Sequence, residues 1–435
     1  MREQQLNRIY QKISWRLLPF LLLCYFFAYL DRINIGFAKL QMQQDLGFSD
    51  AIYGMAAGIF FLGYVIFEVP TNLYFNKIGA RKTFMRIMVL WGLTSMSMLF
   101  VTTPTLFYIL RFLLGVFEAG FAPGLIFYLT YWYSGKRMAR VMAIVMLAAP
   151  LGGMLGAPLS THIMTHMHHI YQLAGWQWLF LLEGLPTVLL GVMAYFYLVD
   201  HPEDAKWLSL DEKKLLQQEI QLHQAAQTHQ GFKTVLKDPW IYFMALGYFS
   251  IISGIYAVGF WLPSLLKSSG IQSLTTIGWL VAIPYLVSAI MMNIFARRSD
   301  RYQERKWHSI LPTLLAGILL LISVMSHNFA LSFIAICFAT AFMFVAYTIF
   351  WSIPSQYLSG TAAAGGIALI NSIGLLGGFV SPNIMAFAQG ATHSLVAGWI
   401  SIALLLGCGA VLLWYAFRLK KPLHASTTLN ATSSG

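Results

Sequence analysis

The segment LLPFLLLCYFFAYLDRINIGFA, residues 17–38, is an apolar run that contains one acidic and one basic residue side by side, Asp31 and Arg32. A helix needs roughly 20 predominantly apolar residues to cross a bilayer core of about 30 Å, and this run is long enough to do so. It has no small-residue cleavage site and is too long for the apolar part of a signal peptide. We therefore expect the run to remain in the protein as a membrane helix.

The rest of the chain has the composition of a membrane protein. Hydrophobic residues make up 58% of it and charged residues 10%, whereas soluble domains carry about 25% charged residues. The apolar runs have no strand alternation, so they predict helices and not a membrane barrel. We predict an all-α membrane protein with twelve transmembrane helices at residues 15–37, 51–74, 84–102, 105–132, 138–160, 176–199, 240–266, 274–296, 309–327, 329–352, 361–389 and 394–416.

One long polar stretch divides the chain into two halves of six spans each. We expect an N-terminal six-helix bundle over residues 1–199, a cytoplasmic linker over 200–238, and a C-terminal six-helix bundle with a short tail over 239–435. Ser209 and Glu212 have the spacing of a capping box, which predicts the start of a helix in the linker. The halves align at a shift of about 224 residues. Such a parallel repeat predicts a substrate site near the membrane midplane, between the bundles.

The distribution of basic residues predicts the orientation. Lysine and arginine concentrate at both termini and in the loops after the even-numbered spans, while the opposite side holds only Lys39 and Lys267. The positive-inside rule then places both termini in the cytoplasm. We expect the protein in the plasma membrane, which is the inner membrane of a bacterium. This topology accounts for the net charge of +12, so the charge is no argument for a nucleic-acid partner. The three cysteines lie in apolar spans and predict no redox site.

Two polar segments between spans carry a resemblance. ARRSDRYQERK, residues 296–306, resembles the cytoplasmic loop motif of the major facilitator superfamily, and NLYFNKIGARK, residues 72–82, is its first-half copy, with Asn72 and Asn76 where the motif has glycine and aspartate. The resemblance implies the major facilitator fold and alternating access of the two bundles. It implies gating roles for six loop residues: Lys77, Gly79, Arg81, Asp300, Arg301 and Arg305.

Four further segments resemble one branch of that superfamily, the anion:cation symporters. They are LDRINIGFA in span one, RFLLGVFEAGFAPG from Arg111, GWQWLFLLEGLP from Gly175 and FWSIP from Phe350. Members of this family import organic anions with protons, so the resemblance implies the same activity here.

Ionisable residues inside the predicted spans are the candidate functional residues, because a charge at the bilayer centre costs about 2.5 to 3.5 kcal/mol on insertion scales. Apart from the arginines near the cytoplasmic span ends there are six, and all fall in the first half: Asp31, Arg32, Glu68, Arg111, Glu118 and Glu183. The positions about 224 residues later hold no ionisable residue. Arg111 and Glu118 are seven residues apart, which places them on one helix face. We expect Arg111 to bind the substrate anion and Glu118 to carry a proton, or else the two to form a buried pair.

The remaining charges in the spans have several possible roles. Asp31 and Arg32 lie about 100° apart around a helix, so they should point in different directions. The resemblance implies that Asp31 carries a proton coupled to Glu118, and that Arg32 tunes it or meets the substrate. The alternative is a structural bridge that holds Asp31. We interpret Glu68 and Glu183 as packing or gating residues.

Neutral polar and aromatic residues complete the predicted site. The resemblance implies substrate contact for Tyr29 and Tyr64. Asn371 in span eleven needs a polar partner at lipid depth, and three further residues are candidate wall residues: Tyr256, Trp351 and Ser352. Sugar-acid transporters of the family often carry a glutamine in span five, where this chain has MLAAP at residues 146–150. This difference favours an aromatic or simple carboxylate over a sugar acid.

Other functions remain as alternatives. The protein could be a sugar-acid symporter of the same family, an exporter or exchanger of small metabolites or drugs, or, from another class, a membrane enzyme or a nutrient sensor. Four histidines crowd the loop after span five, where metal binding and pH sensing compete with an ordinary solvated loop: His162, His166, His168 and His169. No catalytic triad, metal-ligand set or phosphate loop is apparent. We therefore predict a monomeric transporter, not an enzyme, without metal, cofactor or nucleic-acid partner.

Overall fold

The computed structural model describes residues 2–224, 236–357 and 360–419, and over these residues the regular structure is helical. Twelve segments are long and apolar enough to cross a membrane, which confirms the predicted class. Their helices are Arg2–Leu46, Asp50–Ile78, Ala80–Ser97, Pro104–Glu118 with Phe121–Thr130, Gly135–Met146 with Ala148–His166, Gly175–Tyr197, Pro239–Ser268, Leu274–Tyr302, Lys306–Met325, Phe329–Phe350, Gly360–Thr392 and Leu395–Leu419. Two helices lie outside the spans, Leu210–Gln224 and Pro354–Tyr357.

The first helix is much longer than the predicted span, because it runs from Arg2 to Leu46 and not from 15 to 37. Its N-terminal turns bury Leu6, Ile9 and Ile13, which recur at the spacing of one helix face. Polar residues fill the other face of these turns, so mean hydropathy detects only the part at membrane depth. The predicted span, residues 15–37, therefore lies within a longer helix.

The described residues form two compact units. The first comprises Met1–Phe48 and Ile59–Ala226, and the second Ser49–Gly58 and Gln227–Gly435. In the first unit spans three and six pack closely, since a Cβ on Gly92 would lie 3.0 Å from the carbonyl oxygen of Gly184, and the reverse distance is also 3.0 Å. In the second unit span seven packs against spans eleven and twelve. Residues 225–235 of the predicted linker and the tail beyond Leu419 lie outside the described residues.

The linker helix Leu210–Gln224 begins with the predicted capping box. The backbone N–H of Ser209 donates to Glu212 Oε2 at 2.8 Å, and the backbone N–H of Glu212 donates to Ser209 Oγ at 3.2 Å. Lys12 Nζ on the first helix lies 3.1 Å from the same Oε2. Partial burial would raise the pKa of Glu212, but the hydrogen bond from Ser209 and the charge of Lys12 bring it below its ordinary value.

We expect Ser209→Ala to loosen the start of the linker helix, because the first-turn N–H of Glu212 loses its acceptor. Loss of such a cap costs about 1 kcal/mol, or about fivefold in local opening. Hydrogen exchange of the amides at residues 210–213 measures this change. Ser209→Thr keeps a hydroxyl and should exchange like the wild type, and equal rates in the Ala variant would contradict the role of the cap.

The same cap should weaken in acid. Because the folded-state pKa of Glu212 is lowered, its contribution is present above the ordinary carboxyl pKa and is lost as the pH falls through the lowered value. Protection of the first-turn amides, corrected for intrinsic exchange, should therefore decrease over that acidic range. Glu212→Gln should abolish this pH step, and a step that persists in the variant would assign it to another group.

Candidate functional site

A buried salt bridge joins spans one and four. Arg32 Nε lies 2.5 Å from Glu118 Oε1, and the two residues are 6% and 0% exposed. Arg111, seven residues before Glu118, also interacts with its carboxylate electrostatically. Glu118 is thus hydrogen-bonded to Arg32 of span one and also interacts with Arg111 on its own helix.

The two arginines share one aromatic surface on span two. The guanidinium carbon of Arg111 lies 5.3 Å from the ring centroid of Phe60, and that of Arg32 lies 5.7 Å from the same centroid and 5.1 Å from the ring of Tyr64. Aromatic faces attract cations, which offsets part of the cost of burying them. Two permanently charged groups therefore lie beside one titratable carboxylate, an arrangement that we call the arginine cluster.

Small residues bring these side chains together. A Cβ on Gly115 would lie 1.9 Å from the carbonyl oxygen of Phe60, and a Cβ on Gly63 would lie 2.4 Å from that of Phe112. Spans two and four therefore touch through their backbones, which puts the Phe60 ring next to Arg111. The helix ends directly after Glu118, because Gly120 adopts a left-handed conformation with φ of 90°.

The carboxylate of Asp31 lies in a separate environment made of neutral donors. Its Oδ1 accepts from Ser95 Oγ at 3.0 Å and from Asn34 Nδ2 at 3.3 Å. Its Oδ2 accepts from Trp91 Nε1 at 2.9 Å and from Thr187 Oγ1 at 3.2 Å. Asp31 and its chain neighbour thus have different partners, as the helical spacing predicts. These contacts fit the alternative of a structural bridge that holds Asp31 to other helices, although every donor is uncharged.

Glu183 joins the same buried region. Its Oε1 accepts a hydrogen bond from Ser160 Oγ at 2.6 Å, and Thr187, one helical turn further along span six, donates to Asp31. From the sequence, Glu183 is interpreted as a packing or gating residue, and Asn34, Ser160 and the other side chains that donate to the two carboxylates are not identified. Serine and threonine in membrane helices often bond to their own backbone, as Thr94 does to the Leu90 carbonyl. The available signal was Asn34, one helical turn from Asp31.

The other predicted site residues are divided between the two units. Tyr29 and Tyr64 are buried in the first, where Tyr29 packs against Gly152 of span five. In the second unit Tyr256 stacks on Phe260 and Trp351 packs edge-on against Tyr248. Ser352 Oγ donates to the Ile349 carbonyl, and Asn371 is half-buried on span eleven. Glu68 is buried, and its carbonyl accepts from the side chain of Asn72.

The two copies of the loop motif are held differently. In the second half Arg305 forms a salt bridge with Asp300 and donates to Ser299 Oγ at 2.7 Å. In the first half Arg81 donates to the Tyr195 carbonyl from Nε at 2.8 Å, and its backbone N–H donates to Asp200 Oδ1 at 2.9 Å. An aspartate from the end of span six therefore meets the loop that lacks aspartate at position 76.

Three other loop residues have distinct environments. Gly79 has φ of 82° and lies so close to Asp200 that a Cβ would be 2.6 Å from its carboxylate. Lys77 and Arg301 are exposed.

The histidines after span five pack against each other. The rings of His162 and His166 stack with centroids 4.0 Å apart, and His168 Nδ1 accepts from the backbone N–H of Gly175 at 3.0 Å. Over residues 2–224, 236–357 and 360–419, histidine, cysteine and acidic side chains form no group of three or more that could hold a metal ion.

The sequence matches the model of a known protein family. The family model of the Major Facilitator Superfamily matches residues 21–382. The chain belongs to this superfamily. This superfamily member is an integral multi-pass membrane transporter and not an enzyme.

Several relatives of this superfamily member are similar over nearly the whole chain. A proposed tartrate transporter of Agrobacterium vitis is 45% identical over 93% of this chain and 94% of its own. A proposed metabolite transport protein of Pseudomonas putida, NicT, is 43% identical over 93% and 94%. A quinolone resistance transporter of Acinetobacter baumannii is 38% identical over 97% and 98%.

A solved structure with the same fold is also similar. It is a bacterial homologue of the human lysosomal transporter Spinster, captured in an inward-facing, occupied conformation, with a TM-score of 0.75 at 14% identity. The match covers 93% of this chain and 97% of that one.

We expect Gly115→Ala to destabilise this transporter, since the added methyl group collides with the backbone of Phe60. Overpacking of this kind costs about 1 to 3 kcal/mol, so the melting temperature of the purified protein should fall. Gly407→Ala is the matched control, because nothing lies within 4 Å of its Cβ position among the described residues. Equal melting temperatures for the two variants would contradict a close approach of spans two and four.

Proposed function

We propose that this transporter imports an organic carboxylate together with protons. The observation that carries the proposal is the arginine cluster, in which Arg32 and Arg111 lie beside the single titratable carboxylate of Glu118, all of them buried. Guanidinium groups stay charged in proteins, and their planar fork matches the geometry of a carboxylate. With Glu118 ionised the cluster still carries one excess positive charge, which favours an anion.

The salt bridge also suggests how a proton is coupled to the anion. Glu118 Oε1 lies 2.5 Å from Arg32 Nε. A substrate carboxylate that binds the same guanidinium therefore competes with Glu118. Once displaced, Glu118 is a buried carboxylate that has lost its hydrogen bond, and it takes up a proton. In this mechanism Arg32 and Arg111 bind the substrate, and Glu118 exchanges its arginine for a proton.

The electrical energy of import makes such coupling necessary. Moving one negative charge inward against an inside-negative potential costs about 2.3 kcal/mol per 100 mV. One proton for each charge cancels that cost, and a further proton lets the potential drive uptake. We place the proton-coupling role on Asp31 and Glu118 and the gating role on the two loops, with both termini in the cytoplasm.

The remaining substrate contacts come from both units in this proposal. Tyr29 and Tyr64 belong to the first unit. Tyr29 packs against Gly152 of span five, and the ring of Tyr64 lies 5.1 Å from the guanidinium carbon of Arg32. Asn371, Tyr256, Trp351 and Ser352 supply neutral contacts from the second unit, whose buried polar side chains carry no charge in the described part of the chain. An excess positive charge and neutral contact groups suit a small anion with an uncharged body.

The similarity to a tartrate transporter of Agrobacterium vitis supports a small carboxylate as substrate. Span five, where Met146–Pro150 lacks the glutamine typical of sugar-acid transporters, supports an aromatic or simple carboxylate over a polyhydroxylated one. Competition of unlabelled tartrate, benzoate and gluconate against uptake of a transported acid ranks these classes. Strongest competition by gluconate would contradict our preference.

We expect the proton gradient to be required for accumulation. In proteoliposomes that contain the purified transporter, an imposed inward proton gradient should drive uptake of the acid above equilibrium, and a protonophore should abolish it. Accumulation that survives the protonophore and requires sodium would reassign the coupling ion.

We expect Glu118→Gln to separate coupling from binding, because glutamine keeps the shape of the side chain but cannot exchange a proton. The variant should lose uphill uptake while it retains exchange of labelled for unlabelled substrate. Glu3→Gln, an exposed glutamate on the first helix, is the control and should behave like the wild type. Undiminished uphill uptake by Glu118→Gln would exclude its role as proton carrier.

Arg111→Lys tests the binding role of the guanidinium. Lysine keeps the charge but loses the two-pronged geometry, and a hydrogen bond to a charged group contributes about 1.5 to 3 kcal/mol. The half-saturating substrate concentration should therefore rise at least about tenfold. Arg8→Lys, at an exposed position of the first helix, should leave it unchanged, and an equal value for both variants would contradict substrate binding at Arg111.

Export is the second candidate function, because a quinolone resistance transporter is 38% identical over 97% of the chain. Quinolones also carry a carboxylate, so the arginine cluster alone does not separate the two directions. Flux measured in vesicles of known orientation under imposed gradients does so. Import driven by an inward proton gradient supports our proposal, and extrusion in exchange for protons supports the alternative.

A further inference from the structure

A second group of buried titratable side chains lies in the first unit, apart from the arginine cluster. Asp31 of span one and Glu183 of span six are each 1% exposed. Asn34, which is completely buried, donates to Asp31, and so does Thr187, one helical turn after Glu183. We call Asp31 and Glu183 the carboxyl pair. The proposed exchange at Glu118 makes no use of Glu183 or of Asn34.

The surroundings of Asp31 suit an ionised carboxylate. Four donors reach its two oxygens at 2.9 to 3.3 Å. Two of them, the indole N–H of Trp91 and the amide NH₂ of Asn34, can only donate. An ionised carboxylate is an acceptor at both oxygens and can satisfy all four, whereas a protonated one would present a donor to donors. The protein therefore solvates a negative charge at Asp31.

Glu183 has the opposite surroundings. Its Oε1 accepts from Ser160 at 2.6 Å, but within the described parts of the chain no donor reaches its buried Oε2. The Oδ1 atom of Asn34 likewise has no donor there. Buried acceptors without a donor are costly and uncommon. A proton on Glu183 removes the charge from that carboxyl and supplies a donor to this donor-poor region.

The side chains that donate hydrogen bonds to Asp31 and to Glu183 Oε1 are uncharged. The facing side chains are Trp91 and Ser95 of span three and Ser160 of span five, and none of them is charged. On span one the nearest cation, Arg32, is bonded to Glu118, whose carboxylate interacts electrostatically with Asp31. Asp31 in turn interacts electrostatically with Glu183. Two neighbouring buried carboxylates do not both stay ionised.

We propose that the carboxyl pair is a proton-binding site separate from Glu118, in which Glu183 carries the proton beside the ionised Asp31. Binding forms an O–H bond on Glu183 and removes its negative charge, and release of the proton restores the carboxylate. Given the proposed function, which this inference rests on, Asp31 takes part in proton coupling through this pair, and the pair supplies a second proton in each transport cycle. That proton does not compete with the substrate for an arginine.

Infrared spectroscopy of the purified protein tests the site without substrate. The C=O stretching band of protonated carboxyls should lose one component in Glu183→Gln. In Ser160→Ala that component should shift to higher frequency, since Glu183 Oε1 loses its hydrogen bond. Thr161→Val is the control, because Thr161 bonds to carbonyls of its own helix, and its spectrum should match the wild type.

A spectrum of Glu183→Gln identical to that of the wild type would overturn the proposal. If Glu183→Gln fails to fold, Ser160→Ala decides instead, because it is a smaller change. A C=O band that does not shift in Ser160→Ala would also contradict a protonated Glu183.

The proton-to-substrate ratio, obtained from reversal potentials in proteoliposomes, tests the contribution to transport. The ratio should fall by one in Glu183→Gln and remain at the wild-type value in Thr161→Val. With a pH gradient of one unit, accumulation should then fall about tenfold. An unchanged ratio would overturn the second proton. Absence of proton coupling in the wild type would instead refute the proposed function, while the infrared result still decides whether Glu183 binds a proton.

Discussion

The cost of burying charge in an apolar medium is the constraint on which the rest of this structure depends. Seven charged side chains are buried in the described part of the chain, and all of them belong to the first unit: Asp31, Arg32, Lys39, Glu68, Arg111, Glu118 and Glu183. Each costs several kcal/mol unless a partner compensates it. The salt bridge between Arg32 and Glu118 is the shortest such compensation between spans, and it joins the first and fourth spans at the point where the fourth span breaks.

Two clusters in that unit solve the problem of buried charge in different ways. Around Phe60, permanent cations outnumber the carboxylate that neutralises them, so an incoming anion lowers the energy of the cluster. Around Asp31, neutral donors stabilise one negative charge, and a second carboxyl nearby has too few donors to hold another. In the functions that we propose, the first arrangement binds an anion and the second binds a proton. A transporter that couples the two species needs both kinds of environment.

Close helix packing makes these clusters possible. Polar atoms at lipid depth must find partners on neighbouring helices, and they reach one another only when the backbones approach closely. Gly92 and Gly184 bring together spans three and six, which carry Trp91 and Glu183 respectively. Gly63 and Gly115 do the same for spans two and four. In the second unit glycines also allow close packing, yet the buried polar side chains of its described residues are serines and threonines.

The sequence by itself determined the class of protein, the number of spans, the capping box of the linker and the restriction of membrane charges to one half, because these follow from hydropathy, local hydrogen bonding and residue identity. It also placed Asp31 and Arg32 in different directions, since helical spacing fixes that angle. Only the tertiary structure decided that Glu118 pairs with Arg32 and that Thr187 donates to Asp31. Those pairings join residues up to 156 positions apart, and which helix faces meet depends on backbone packing that no local pattern records.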